Sequence, residues 1–126
     1  MSSKTFLSKY SNQIYALMRV VIGILFFSHG VQKANALLSG AMSFSSTLLV
    51  LACIIELVTG FLIIIGLQVR WAAFIASGEM AVAYFYAHAY KTFWPINNGG
   101  EKAVFYCFLF LFMASYGAGA LSIDKK

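Results

Sequence analysis

Charge is what this sequence has least of. Of 126 residues, 10% are charged and 61% hydrophobic, and the mean hydropathy is +0.82. Soluble domains run to about a quarter charged, and a small one needs that polar surface to cover its core. A water-soluble globule is therefore excluded. The formal charge of +5 comes from cations scattered singly among apolar runs, so there is no basic stripe for a phosphate backbone, and nucleic acid is not a partner. Cysteine occurs twice, as Cys53 and Cys107. No C-x-x-C motif exists, and core filling is the better reading of both. Flavin, haem and iron–sulfur motifs are missing. So is a pair of metal ligands at i, i+4; with Glu101 only a distant third ligand for His29 and His88, no metal site is expected.

Long apolar runs are what the chain does have. Residues 14–32, 46–67, 70–90 and 103–121 are each close to the roughly 20 residues that cross about 30 Å of hydrocarbon. The expected fold is all-α: a single-domain integral membrane bundle of four helices, lying in the lipid bilayer. Gln68 and Val69 alone separate the second and third runs, which predicts a tight hairpin. The other loops, 33–45 and 91–102, are longer. In the second of these, Pro95 and Asn97-Asn98-Gly99-Gly100 break helix, and Trp94 suits the headgroup interface. The first run is not a signal peptide, because it holds Arg19 and His29 and lacks an A-x-A cleavage site.

Four crossings put the N and C termini on the same side. Lys4, Lys9, Arg70, Lys125 and Lys126 then face Lys33, Lys91 and Lys102 across the membrane, and the excess of cations makes the first side cytoplasmic.

Ionisable residues inside the spans are expensive in lipid and read as functional by default. Helical rise puts Glu56 and Glu79 about 14–17 Å from the cytoplasmic end and Arg19 about 8 Å in. The long side chain of Arg19 is expected to reach both carboxylates, giving a buried Arg19–Glu56–Glu79 cluster as the catalytic or relay group. Periodicity places Arg19, Gly23, Phe26, Gly30 and Lys33 on one face of the first helix, and Cys53, Glu56, Gly60 and Leu67 on one face of the second. On the third, Ala72, Ala76, Ala83 and Ala87 make a stripe of small residues with Glu79 in it, a packed face rather than a lipid face. Two readings stand side by side: the cluster fixes helix packing and register, or it handles a proton or a ligand.

His29 and His88 lie near the outer ends of the first and third helices. Each is a hydrogen-bond partner for a quinone carbonyl or a proton acceptor at the interface. A histidine anchoring a helix end at the headgroups is the plainer account, and it suits His88 better than His29.

Several spaced motifs together resemble the DoxX family. They are Arg19-x-x-x-Gly23, His29-Gly30-x-x-Lys33, Glu56-x-x-x-Gly60, Gly66-x-x-x-Arg70, Asn98-Gly99-Gly100-Glu101 and Gly117-Ala118-Gly119-x-x-Ser122-Ile123-Asp124. Ala118 stands where many relatives carry proline. The resemblance implies a four-helix protein of the bacterial inner membrane. The family takes its name from a small membrane subunit tied to thiosulfate:quinone oxidoreduction; other members are tied to thiol or oxidative stress and to quinone or catechol resistance. The expected function is thus a quinone-associated subunit of a redox system, with quinone as cofactor and a membrane or soluble redox subunit as partner. His29, Lys33, His88, Trp94 and Glu101 are expected to line the quinone pocket toward the outer face. The alternative is a non-enzymatic bundle that carries a small solute or scaffolds a partner.

Overall fold

Four long helices form where the apolar runs lie, and the turn chemistry between them decides where each begins and ends. The computed structural model of the chain describes residues 5–124; Lys4, Lys125 and Lys126 of the charge count lie outside them. The order is a 3-10 turn Ser8–Tyr10, then α1 (Ser11–Leu38), α2 (Thr47–Ile65), α3 (Val69–Ala87), a single turn α4 (Pro95–Asn98) and α5 (Glu101–Tyr116). No strand occurs among the described residues. Two of these helices, α1 with its leading turn and α2, are long and apolar enough to cross a membrane by length and composition.

Most boundaries fall within three residues of the sequence expectation, and two differ by more. The first helix continues past residue 32 to Leu38, because Ala34, Ala36 and Leu37 are good helix formers and nothing breaks the run before Ser39 and Gly40. The last ends at Tyr116 rather than 121: Gly117 takes φ +97, and the chain leaves the helix axis there. Residues 117–124 become an irregular tail.

That tail organises the α2–α3 hairpin. α2 starts under a Ser46 side chain that accepts the Leu49 amide at 3.4 Å, a normal N-cap. It stops at Gly66, whose left-handed φ of +75 admits little else, the more so because an added Cβ would run into Ser122. The next helix has no cap from its own neighbours. Asp124 supplies one from 55 residues away, accepting the Gln68 amide at 2.7 Å and the Val69 amide at 2.9 Å. The tail backbone completes the junction, with Ile123 N on Ile65 O at 3.2 Å and Asp124 N on Gly66 O at 2.7 Å. In return Arg70 covers the end of α5, donating to the carbonyls of Ala114, Ser115 and Tyr116 at 3.2, 2.5 and 3.3 Å.

The four long helices close into a ring by two kinds of contact. α1 packs on α2, α2 on α3, and α3 on α5. Between α1 and α2 the backbones nearly touch: a Cβ on Gly30 would lie 2.9 Å from Leu57 N, and one on Gly60 3.0 Å from Phe27 Cα. On α3 the buried stripe is Ala72, Ala73, Ala76, Ser77, Met80 and Tyr84. The last seam, α1 against α5, is made of rings instead. Phe26 meets Phe110 edge-on at 4.7 Å, His29 meets Tyr106 at 5.9 Å, and Tyr15 meets Tyr116 at 4.3 Å. The outward faces of all four are apolar, with Leu17, Val58, Phe74, Phe85, Phe105 and Phe108 more than half exposed.

Candidate functional site

The α1–α2 register decides which charges can meet. Gly30 faces Leu57, and Gly23 faces Ile63 and Ile64. In this antiparallel pairing Glu56 lies level with the stretch that follows Gly30, while Arg19 lies level with the hairpin turn. About 18 Å of helix separates Arg19 from the level of Glu56, too far for one side chain. The expected Arg19–Glu56–Glu79 cluster therefore does not form.

Lys33 takes the place expected for Arg19. Its Nζ donates to Glu56 Oε1 at 2.8 Å. Glu56 is 1% exposed, at mid-length of α2, and Lys33 is 28% exposed, so the pair is sealed on one side and reaches solvent on the other. Lys33 can do this because α1 runs on to Leu38, keeping the lysine on the helix rather than in a loop. Glu79 comes beside Glu56 from the middle of α3, within its electrostatic and hydrogen-bonding reach. Its Oε1 is buried and has no hydrogen-bond partner among the described residues. The three side chains thus form a line from α1 through α2 to α3.

Glu79 also lines a groove. It is half-buried at the edge of the α3 packed stripe, not in it; Ala87, expected in that stripe, is exposed. A cavity of about 750 Å³ runs between α2 and α3, walled by Leu49, Ala52, Ile55, Ile75, Val82 and Ala83, with Ser46 and Tyr86 toward one end. Glu79 is its one carboxylate.

Arg19 serves the tail. Fully buried, it donates from Nη2 to Leu121 O at 2.6 Å and Ala120 O at 3.4 Å. Nη1 would sit 2.7 Å from a Cβ at Gly66, and neither Nε nor Nη1 has a partner among the described residues. The carboxylate that acts on it is Asp124. Tyr15 holds the same tail, its hydroxyl donating to Gly117 O at 2.6 Å.

The residues expected around a quinone at the outer face are dispersed. His29 packs on Tyr106 and borders a separate cleft of about 390 Å³ along α1 with Ser28, Gln32 and Asn35. His88 anchors the 89–100 loop through Nδ1 and Asn98 O at 3.1 Å. Trp94 is 67% exposed ahead of α4, and Glu101 is exposed at the start of α5. Lys33 alone of the five reaches the carboxylate pair.

Asn98 does work that its place in a helix-breaking stretch did not announce. Buried, it donates from Nδ2 to Tyr84 Oη at 3.0 Å and Thr92 O at 2.8 Å, and accepts the Gly100 amide at 2.8 Å. Tyr84 in turn donates its hydroxyl hydrogen bond to Phe93 O. The cysteines lie on different seams, Cys53 against Gly30 O at 3.5 Å and Cys107 against Ser77, and both are free thiols.

Residues 14–89, which carry Arg19, Lys33, Glu56 and Glu79, match the DoxX family model. The chain belongs to the DoxX family. An uncharacterized protein of Haemophilus influenzae is 40% identical over an alignment of 127 residues that covers 95% of each chain. No solved structure matches. DoxX membership and two helices apolar enough to cross a bilayer make this a helical membrane protein.

Proposed function

We propose that this DoxX protein crosses a bacterial inner membrane four times, with both termini cytoplasmic, and binds a small lipid-soluble molecule between α2 and α3. A quinone is the class favoured, which makes the chain a quinone-associated subunit of a redox system linked to thiols, sulfur or oxidative stress. Four crossings are supported by the apolar outward faces of α3 and α5, and by the three-residue link that turns α3 straight back along α2. The observation that carries the binding site is the groove itself: about 750 Å³, apolar, with a single carboxylate. That is the size and lining of a small-molecule site. Glu79 in its acid form would donate to a ring carbonyl. A partner subunit would hold the redox centre.

The test is titration of the purified protein with a short-chain quinone analogue. Saturable binding is expected, weakened about tenfold or more by Glu79→Leu, the size of one lost buried hydrogen bond. His29→Leu should leave it unchanged, since His29 borders a different cleft. Absence of saturable binding by the wild-type protein removes the quinone reading.

A second reading, a carrier for a small solute, is favoured by one further observation. Lys33, Glu56 and Glu79 place ionisable groups at mid-helix beside a lateral opening, an arrangement typical of ion and proton pathways in membranes. Solute flux in liposomes tests it.

A further inference from the structure

We propose that the α2–α3 groove is an exchange site, in which Glu79 gives up a proton when a lipophilic organic cation enters from the bilayer. The proposal rests on the carrier reading and names its substrate class. Charge is the first argument. Lys33 is paired with Glu56 at 2.8 Å, so those two groups sum to zero. Glu79 adds a second carboxyl beside the first, and in surroundings of low dielectric an uncompensated carboxylate is expensive. Neutrality requires that Glu79 carry either a proton or a foreign cation.

The neighbours supply no substitute. Glu56 faces it from α2 with Lys33 of α1 behind. His29 of α1 and Tyr106 of α5 lie on the Glu56 side of the cluster, with Lys102 acting on His29. No protein cation lines the groove. Its walls are aliphatic apart from Ser43, Ser46, Glu79 and Tyr86, and the Tyr86 ring offers a face to a cation as well as apolar area. Oε1 of Glu79 is already buried without a donor. A metal ion would need several oxygen ligands that the groove lacks; a lipophilic cation needs only one counter-charge and apolar walls.

The step balances simply. Glu79–COOH and a free cation become a Glu79–COO⁻/cation pair and one released proton; no bond other than O–H breaks and no electron moves. Cation binding must then strengthen as pH rises, by about tenfold per pH unit wherever Glu79 is protonated in the empty protein.

Tetraphenylphosphonium is the probe, titrated calorimetrically into the protein in nanodiscs at several pH values and in two buffers of different ionisation enthalpy. The expected result is saturable binding with about one proton released per cation and the stated pH slope. Glu79→Gln should abolish both, and an uncharged aromatic of similar size should bind without releasing a proton. The proton count is made on the wild-type protein, so it holds even where the variant folds poorly. Binding without proton release, unchanged binding by a folded Glu79→Gln protein, or no cation binding overturns the proposal. Proton-linked binding with no cation flux in liposomes upholds the exchange site and removes the carrier reading. Quinone binding without cation binding overturns the exchange and leaves the quinone reading standing.

Discussion

Lys33 and Glu56 are 23 positions apart in sequence and 2.8 Å apart in space, and they hold α1 to α2 at a level where the backbones already nearly touch. Glu56 is the sealed member of the pair. Its conversion to Gln should lower stability in detergent by about 1–3 kcal/mol, since Lys33 loses the charged acceptor it holds at 2.8 Å. Lys33→Met with Glu56→Leu should cost less than the sum of the single changes, because an apolar pair of similar volume replaces a buried ion pair. Thermal melts of the wild type, Lys33→Met, Glu56→Leu and the double variant check this; strict additivity would show that the two residues do not interact. Arg19→Leu has its own cost, through the lost bonds to Ala120 O and Leu121 O, and that cost should simply add to that of Glu56→Gln, as Arg19 contacts a different region.

Close approach at Gly60 sets up the second prediction. Gly60→Ala places a Cβ 3.0 Å from the backbone of Phe27, which cannot withdraw without moving α1. A loss of about 1–3 kcal/mol is expected, the usual cost of overpacking. Gly78 of α3 has nothing within 4 Å of such a Cβ. Gly78→Ala should therefore leave stability unchanged or raise it by up to about 1 kcal/mol through helix propensity. Paired melting curves decide, and equal losses at both sites would sink the argument from the α1–α2 contact.

Removal of the distant cap should loosen one end of the molecule only. Asp124→Ala deprives the Gln68 and Val69 amides of their acceptor and is expected to cost about 1 kcal/mol, as lost N-caps do. Amide hydrogen exchange should quicken at residues 66–70 and in the tail, while the middle of α2 and α3 stays protected. Uniform quickening throughout would mean that the tail contributes to global rather than local stability.

Topology is the fourth prediction. Reporters fused after Gly40 and after Asn98 should lie in the periplasm, and reporters fused after Gln68 and Lys126 in the cytoplasm. Any result requiring an odd number of crossings would undo the placement of Glu56 and Glu79 within the bilayer.

The helix faces were readable from spacing: Arg19, Gly23, Phe26 and Gly30 are all buried, as are Cys53, Glu56 and Gly60, while Leu67, expected on the same face of the second helix, lies in the turn beyond Ile65. Small residues at helical intervals mark close packing whatever the partner. What spacing does not give is the register between helices. Depth arithmetic put Arg19 within reach of two glutamates because it took side-chain length as sufficient and left out the sliding of α1 along α2. The count of loop cations placed Lys33 outside the helix, although periodicity put it on the Arg19 face and the Ala-rich segment after it does continue the helix. Asp124 was visible as part of a terminal motif, yet its role depends on a tail that folds back across 55 positions, for which no local pattern exists. The inward turn of Asn98 is of the same kind. Either asparagine in an Asn-Asn-Gly-Gly turn is chemically able to organise the loop, and only the approach of Tyr84 selects one.

Helix lengths in this bundle are unequal, and lipid must accommodate the difference. At 1.5 Å per residue, α1 measures about 42 Å and α5 only about 24 Å, against a hydrocarbon core of about 30 Å. With α5 as a span, acyl chains beside it are compressed by several ångströms while those beside α1 are not, so the protein sits in a membrane thinned on one flank. Each ångström of mismatch costs a fraction of a kcal/mol. The protein should accordingly partition into thinner bilayers, and shorter-chain lipids should gather along the α5 flank.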